Sequence, residues 1–351
     1  MTTSTELIRL PGLVDIHVHL RDPGQTHKET FLTGTSAALA GGFTTVFDMP
    51  NNATPVVDAE VLEAKRLSAK EQVVCDAGFH FGSLGDNLDQ FEAVQDQVSG
   101  LKLYLNVTTG GYKIDAEYLT KIFTAWPKGK PILLHAEADV IEVAMKVAGE
   151  TGQTVHVCHV SSQAELSPIL AARGRGVNVT CGVTPHHLFL NADDAKRLGN
   201  FGEVRPVLKP QSDVDYLWEH FAEIDVVESD HAPHTVSEKE AGVFGFPGLE
   251  TTLPLMLEAE RAGKLTRADV LAKLSDGPRR IMGLAADDTT FIEVEPVEFE
   301  IAAGGMQTRA AWTPFAGRTG FGRVKRVTVR GTAVYEGSKV VAAPGSGRLL
   351  P

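Results

Sequence analysis

The stretch LVDIHVHLRDP, residues 13–23, has four apolar side chains among its first six positions and carries His17, His19 and Arg21 at every second position. Alternate residues of a strand share one face. Three polar groups therefore stand together at the end of what is otherwise a buried strand. Similar short apolar, β-branched runs recur at Thr44–Asp48, Val73–Phe81, Leu101–Leu105, Ile132–His135, Thr154–His159, Val177–Cys181 and Ile224–Glu228. Helical patterns such as Asp58–Lys70, Ala116–Ala125, Asp139–Gly149, Gln163–Ala172 and Asp213–Phe221 separate them. Strands alternating with helices predict a parallel sheet, and eight such units predict a closed (β/α)8 barrel over residues 11–284.

After His234 comes a Gly/Pro-rich loop, AGVFGFPGLE, and then a helical region from Leu249 to roughly Met282. Beyond Leu284 the pattern changes, and FIEVEPVEFEI and VKRVTVRGTAVYEGSKVV alternate like antiparallel strands joined by glycine turns. Residues 1–10 together with 285–351 are accordingly read as a small β-rich subdomain.

Composition narrows the function classes. The chain of 351 residues has a net charge of -12, from 45 acids against 33 bases, and no basic stripe, which argues against a nucleic-acid partner. Its apolar runs are far short of a membrane span, and MTTSTELIRL lacks the basic start and apolar core of a signal peptide. A cytoplasmic location is expected. Cys75, Cys158 and Cys181 are odd in number and lie in apolar runs, as buried free thiols do.

Chemistry in such a barrel sits at the C-terminal ends of the strands. There the sequence puts His17 and His19 on strand one, Lys102 on strand four, His135 on strand five, His159 on strand six and Asp230, within VESDHAPH, after strand eight. A single histidine would read as a satisfied core or surface residue. The HxH pair with two further strand-end histidines and an aspartate reads as a metal site, suited to zinc, or less specifically to manganese or cobalt. Lys102 taken alone would be a strand lysine reaching solvent. Beside these groups it makes sense as a carbamate formed with carbon dioxide, an anion with two oxygens that could bridge two metals.

HVHLRDPG, MPN, GLKLYLN, LLHAE, VHVCHVSS, GVTPHHLFL, EVRP and SDHAPHT, in this order, resemble the dihydroorotases of the amidohydrolase superfamily. The similarity is greatest to the dihydroorotase domain of the animal multifunctional pyrimidine-synthesis protein, and runs from about Leu10 to the AAWTPFAG segment and the strand VKRVTVRGTAVYEG. The resemblance implies two zinc ions per subunit. His17, His19 and Asp230 would hold one, His135 and His159 the other, and carboxylated Lys102 would bridge them. It implies the reversible cyclisation of N-carbamoyl-L-aspartate to L-dihydroorotate, the third step of pyrimidine biosynthesis. A metal-bridging hydroxide would be the nucleophile and Asp230 the general acid and base.

The resemblance also assigns the substrate carboxylate to Arg21, Asn51 and His234, with Arg205 and the backbone around Phe244 and Gly245 contributing to substrate binding. Arg21 is expected on the face of His17 and His19, just beyond the metals, where a guanidinium can pair with a carboxylate. The loop NVTTGGYK, residues 106–113, reads equally as a mobile lid or an ordinary surface turn, and Thr108 matches a threonine used in lid closure.

Two departures stand out. Thr109 replaces an aromatic residue of the animal domain, and Gly182 replaces a glutamate linked there to an additional metal, so two metals are expected here and not three. The rival readings are another cyclic amidohydrolase, such as an allantoinase or a dihydropyrimidinase (hydantoinase), and a non-catalytic dihydroorotase-like partner of aspartate carbamoyltransferase. Arg21 disfavours the first rival, since allantoinase-like sequences tend to carry asparagine there. The full ligand set disfavours the second. A homodimer is expected, and association with aspartate carbamoyltransferase is compatible with catalysis.

Overall fold

The computed structural model describes residues 6–106, 114 and 116–351. Thr108, Thr109 and the rest of the expected lid at 107–113 lie outside the described residues. Thirteen strands are described: β1 Ile8–Pro11, β2 Leu13–Val18, β3 Phe43–Asp48, β4 Asp76–Gly82, β5 Gly100–Tyr104, β6 Ile132–His135, β7 Val155–Val157, β8 Val179–Val183, β9 Val226–Val227, β10 Phe291–Glu300, β11 Thr319–Val329, β12 Thr332–Glu336 and β13 Lys339–Val340.

Strands β2 to β9 form one parallel sheet in chain order, each joined to the next through a helical connection. The sheet closes at its mouth, where Val18 bridges His231 and the His19 amide donates to the His231 carbonyl at 2.8 Å. The eight-unit barrel expected from the pattern is the observed fold. Its connections follow local rules. Thr30 caps the helix Phe31–Ala40 by accepting from the Thr33 amide, and Asp58 caps Ala59–Lys70 by accepting from Val61.

Every residue of β2, β3, β5 and β6 is buried, as helices on the outside and side chains on the inside require of a parallel barrel. Val14, Ile16, Phe47 and Val226 form the inner layer at the base, packed against Ile281, Met282, Leu284 and Leu350. A large apolar side chain removed from water in this way contributes roughly 1.5–3 kcal/mol. Polar residues on these strands have no route to solvent either. Lys102 is 0% exposed, which removes its reading as a solvent-reaching lysine.

The chain ends build a separate antiparallel sheet in the order β1-β10-β11-β12-β13, with Ile8 opposite Val294. Between β10 and β11 the chain leaves this sheet and packs on the barrel mouth. Trp312, Phe315 and Ala310 join Phe246, Val204 and Leu190 in one apolar cluster, and the Trp312 indole donates to the His234 carbonyl at 2.9 Å.

Candidate active site

The strand ends bring the expected metal-binding residues together. Asp230 Oδ1 lies 3.3 Å from His17 Nε2 and 3.1 Å from His19 Nε2, and His135 Nδ1 lies 3.0 Å from His159 Nε2. The His17 and His159 rings, 5.1 Å apart between centroids, join the two groups. All five residues line one pocket, together with Arg21, Asn51, Arg205 and Gly245. Lys102 lies behind this wall, its Nζ 3.2 Å from Cys158 Sγ. His17, His19 and Asp230 present ligand atoms close enough to share a metal ion.

The protonation states favour cation binding. Burial lowers the proton affinity of His17, His19, His135 and His159 well below the ordinary imidazole range. The next largest cause is the Lys102 ammonium for His17 and His135, Arg21 for His19, and His135 for His159. A neutral imidazole keeps one lone pair, and several ring nitrogens here make no hydrogen bond. His17 Nδ1, His135 Nε2 and His159 Nδ1 are buried without a hydrogen-bond partner among the described residues. His19 faces Asn51 Oδ1 with Nδ1 at 2.7 Å. An amide oxygen only accepts, so the proton sits on Nδ1 and the Nε2 lone pair faces Asp230. Burial pushes the Asp230 carboxyl up to about 7, against the opposing pull of Lys102 and with a contribution from Glu228.

Backbone geometry aims these groups. Arg21, His159 and Asp230 have φ of 63°, 40° and 44°, in the left-handed region that non-glycine residues enter only at a cost. Arg21 thus reaches the pocket wall through a turn, not by continuing the alternation of His17 and His19 as the sequence pattern implied. The strand ends at Val18, and the Asp48 carboxylate accepts the Leu20 amide at 2.7 Å, fixing the chain before the turn.

Arg21 is 3% exposed, and its guanidinium contacts the Pro233 carbonyl at 3.3 Å and His234 Nε2 at 3.1 Å. Among the described residues no carboxylate lies within ion-pair distance of it. His234 is fully buried behind Arg21, with Lys28 Nζ 3.3 Å from its Nδ1, and is absent from the pocket wall. Arg205 stacks on the Phe244 ring at 3.8 Å and meets Glu203 at 3.3 Å. Gly245, at φ 130°, could not carry a side chain, because a Cβ would lie 2.7 Å from the Ala232 carbonyl.

Sequence reasoning passed over several groups. Asp15 accepts the amides of His17 and Ser229 and so ties β2 to the last strand end. Tyr104 lines the pocket with a buried hydroxyl that has no partner among the described residues. Glu228 is fully buried against His17 and His159. The available signal was spacing, since Asp15 precedes His17 by two residues and Glu228 precedes Asp230 by two.

Comparison with known proteins places this geometry. The model of the amidohydrolase family matches residues 8–287. The chain is 43% identical to "Multifunctional protein CAD" of Squalus acanthias, over 99% of its own length but only 16% of that protein. It is 35% identical to "Dihydroorotase" of Pyrococcus horikoshii, over 98% of its own length and 84% of the relative. Among solved structures, "L-Hydantoinase (Dihydropyrimidinase) from Arthrobacter aurescens" superposes with a TM-score of 0.92 at 25% identity, covering 98% of this chain and 88% of that one. The chain belongs to the amidohydrolase family and, within it, to the dihydroorotases.

Proposed function

We propose that this protein is a dihydroorotase, a hydrolase acting on cyclic amides that interconverts N-carbamoyl-L-aspartate and L-dihydroorotate in pyrimidine biosynthesis. The observation that carries the reading is the buried Arg21, whose guanidinium shares a pocket with the metal-competent side chains and has no carboxylate partner among the described residues. A buried charge without a partner is costly. An anionic substrate completes this one, and dihydroorotate carries the carboxylate that neutral cyclic amides lack.

His17, His19 and Asp230 would hold one zinc ion, His135 and His159 a second, and Lys102, as a carbamate, would bridge them. The fully buried Lys102 amine, with only the weak acceptor Cys158 Sγ at 3.2 Å, supports conversion to the anion. When bound, the metal pair acidifies water and polarises the ring carbonyl. Asp230 takes the proton of the attacking water and returns it to the departing ring nitrogen, and in the biosynthetic direction it removes the nitrogen's proton. Arg21, Asn51 and Arg205 bind the substrate carboxylate, and His234 braces Arg21 from behind. Gly245 lets the backbone approach the ring.

Residues 11–284 would form the catalytic barrel, with 1–10 and 285–351 as its appendage. Among the described residues no helix is long and apolar enough to cross a membrane. We assign the protein to the cytoplasm as a homodimer, in which association with aspartate carbamoyltransferase is compatible with catalysis. A relative named "multifunctional", of which this chain spans 16%, supports association with further catalytic units.

The test combines metal analysis of protein purified without chelator with a substrate panel. Turnover of L-dihydroorotate but not of hydantoin or allantoin, with two zinc ions per subunit, is expected. Turnover of hydantoin alone would make the protein a different cyclic amidohydrolase. A folded protein that binds no metal and turns over none of the three would be a non-catalytic partner.

A further inference from the structure

We propose that Glu228 is a positioning residue for the metal centre, holding one ligand of each metal from behind the pocket wall. The inference rests on the metal-dependent reading above and concerns a residue to which that reading gives no role.

Glu228 follows β9 directly and is 0% exposed. Its Oε1 accepts the backbone N–H of His159, a residue held at φ 40°. Its Oε2 faces His17 Nδ1 at 3.5 Å and His156 Nε2 at 3.6 Å. None of these three facing atoms has a hydrogen-bond partner among the described residues. One carboxylate therefore touches His17 from the first expected metal group and His159 from the second. A carboxylate accepts and does not donate. It keeps the His17 proton on Nδ1 and leaves the Nε2 lone pair facing the pocket, where Asp230 lies 3.3 Å away. Carboxylates that orient ligating imidazoles in this way tune metal affinity.

The neighbouring strand is shaped to admit this carboxylate. A Cβ at Gly182 on β8 would lie 2.7 Å from both Cδ and Oε1 of Glu228, and 3.1 Å from Val226. The glycine that removes a side chain from β8 therefore makes the space that the Glu228 carboxylate fills.

Glu228→Gln provides the test. Glutamine keeps an oxygen for the His159 amide but turns an N–H₂ donor towards His17 Nδ1, which favours the opposite imidazole tautomer. Zinc affinity is measured by competition with a chromophoric chelator, on protein shown by circular dichroism to be folded. The variant is expected to bind zinc about 10–100-fold more weakly than wild type, with kcat reduced and KM for dihydroorotate little changed. Gly182→Ala, which presses on the same carboxylate, should weaken zinc in the same direction. The double variant Gly182→Ala/Glu228→Ala relieves that clash and should fold without recovering the lost affinity.

Wild-type affinity in the folded Glu228→Gln variant overturns the proposal. So does a third zinc ion in wild type that this variant lacks, since His17, Cys158 and Glu228 are close enough to hold one and Glu228 would then be a ligand. A wild-type protein that binds no metal overturns the underlying site reading as well, a distinct result.

Discussion

The two sides of the pocket differ in what they offer a bound molecule. One side, His17, His19, His135, His159 and Asp230, offers imidazole and carboxylate lone pairs, with His17 Nε2 and His19 Nε2 both facing Asp230. The other side, Arg21 with Arg205, is made of N–H groups, and Lys28 stands behind it paired to Glu238 at 3.1 Å. Lone pairs concentrated in a low-dielectric site hold cations, whereas a buried guanidinium holds an anion. The first side is what a cyclic-amide hydrolase needs in general, and the second selects among substrates. The sides meet at Asn51, which accepts from His19 at 2.7 Å while lining the pocket next to Arg21.

The largest predicted effect breaks the lone-pair side. Asp230→Asn keeps the shape of the side chain but removes its ability to take a proton. Turnover of L-dihydroorotate at saturating zinc is expected to fall by roughly 10²–10⁴-fold, the range for loss of a positioned acid–base group. Affinity for the substrate, measured by calorimetry on the inactive variant, should stay within a few-fold because Arg21 is intact. Substrate affinity lost in parallel with turnover would show that the two sides are not separable.

The complementary change breaks the donor side. Arg21→Gln is expected to lower kcat/KM for dihydroorotate by about 2–5 kcal/mol of transition-state binding, at least roughly 30-fold, with zinc content unchanged. Arg21→Lys should recover only part of this, since an ammonium cannot reproduce the planar two-point contact with a carboxylate. Undiminished kcat/KM in Arg21→Gln, or zinc lost along with the activity, would remove Arg21 as the selector.

Much of this division was legible before any coordinates. Period-two alternation and fixed residue types announced the strand ends, so His17, His19, His135 and His159 could be placed from sequence. Asp230 could be placed too, although β9 is only two residues long. Arg21 lines the pocket through a left-handed turn that period-two counting cannot foresee. Glu228 was marked only by its spacing two residues before Asp230, and its contacts were not legible. Its place depends on Gly182 in another strand, and nothing local to VESD records that fit. The packing of Trp312 on the mouth was hidden for the same reason, since its partner His234 lies 78 residues away in sequence.

A last predicted effect, on stability and not on turnover, sharpens the comparison by supplying a buried acid outside the pocket. Glu250, in the helix Leu249–Arg261, accepts the amides of Gln307 and Thr308 at 2.9–3.0 Å and so holds the segment between β10 and β11 against the barrel. Burial pushes its carboxyl up from 4.5 to about 7; the two backbone donors oppose the shift and Glu29 adds to it. Because the folded value lies above the unfolded one, the unfolded chain ionises first as pH rises. The stability this group contributes is complete below about pH 4.5 and is lost as pH climbs to about 7. Glu250→Gln cannot ionise. The stability of wild type relative to the variant, from urea denaturation, should therefore fall between pH 5 and pH 8 by on the order of 3 kcal/mol. An equal difference at both pH values would mean that the Gln307 and Thr308 amides keep Glu250 ionised throughout. A buried acid would then be tolerated at this junction as readily as in the pocket, and burial alone would not mark the pocket's acids as functional.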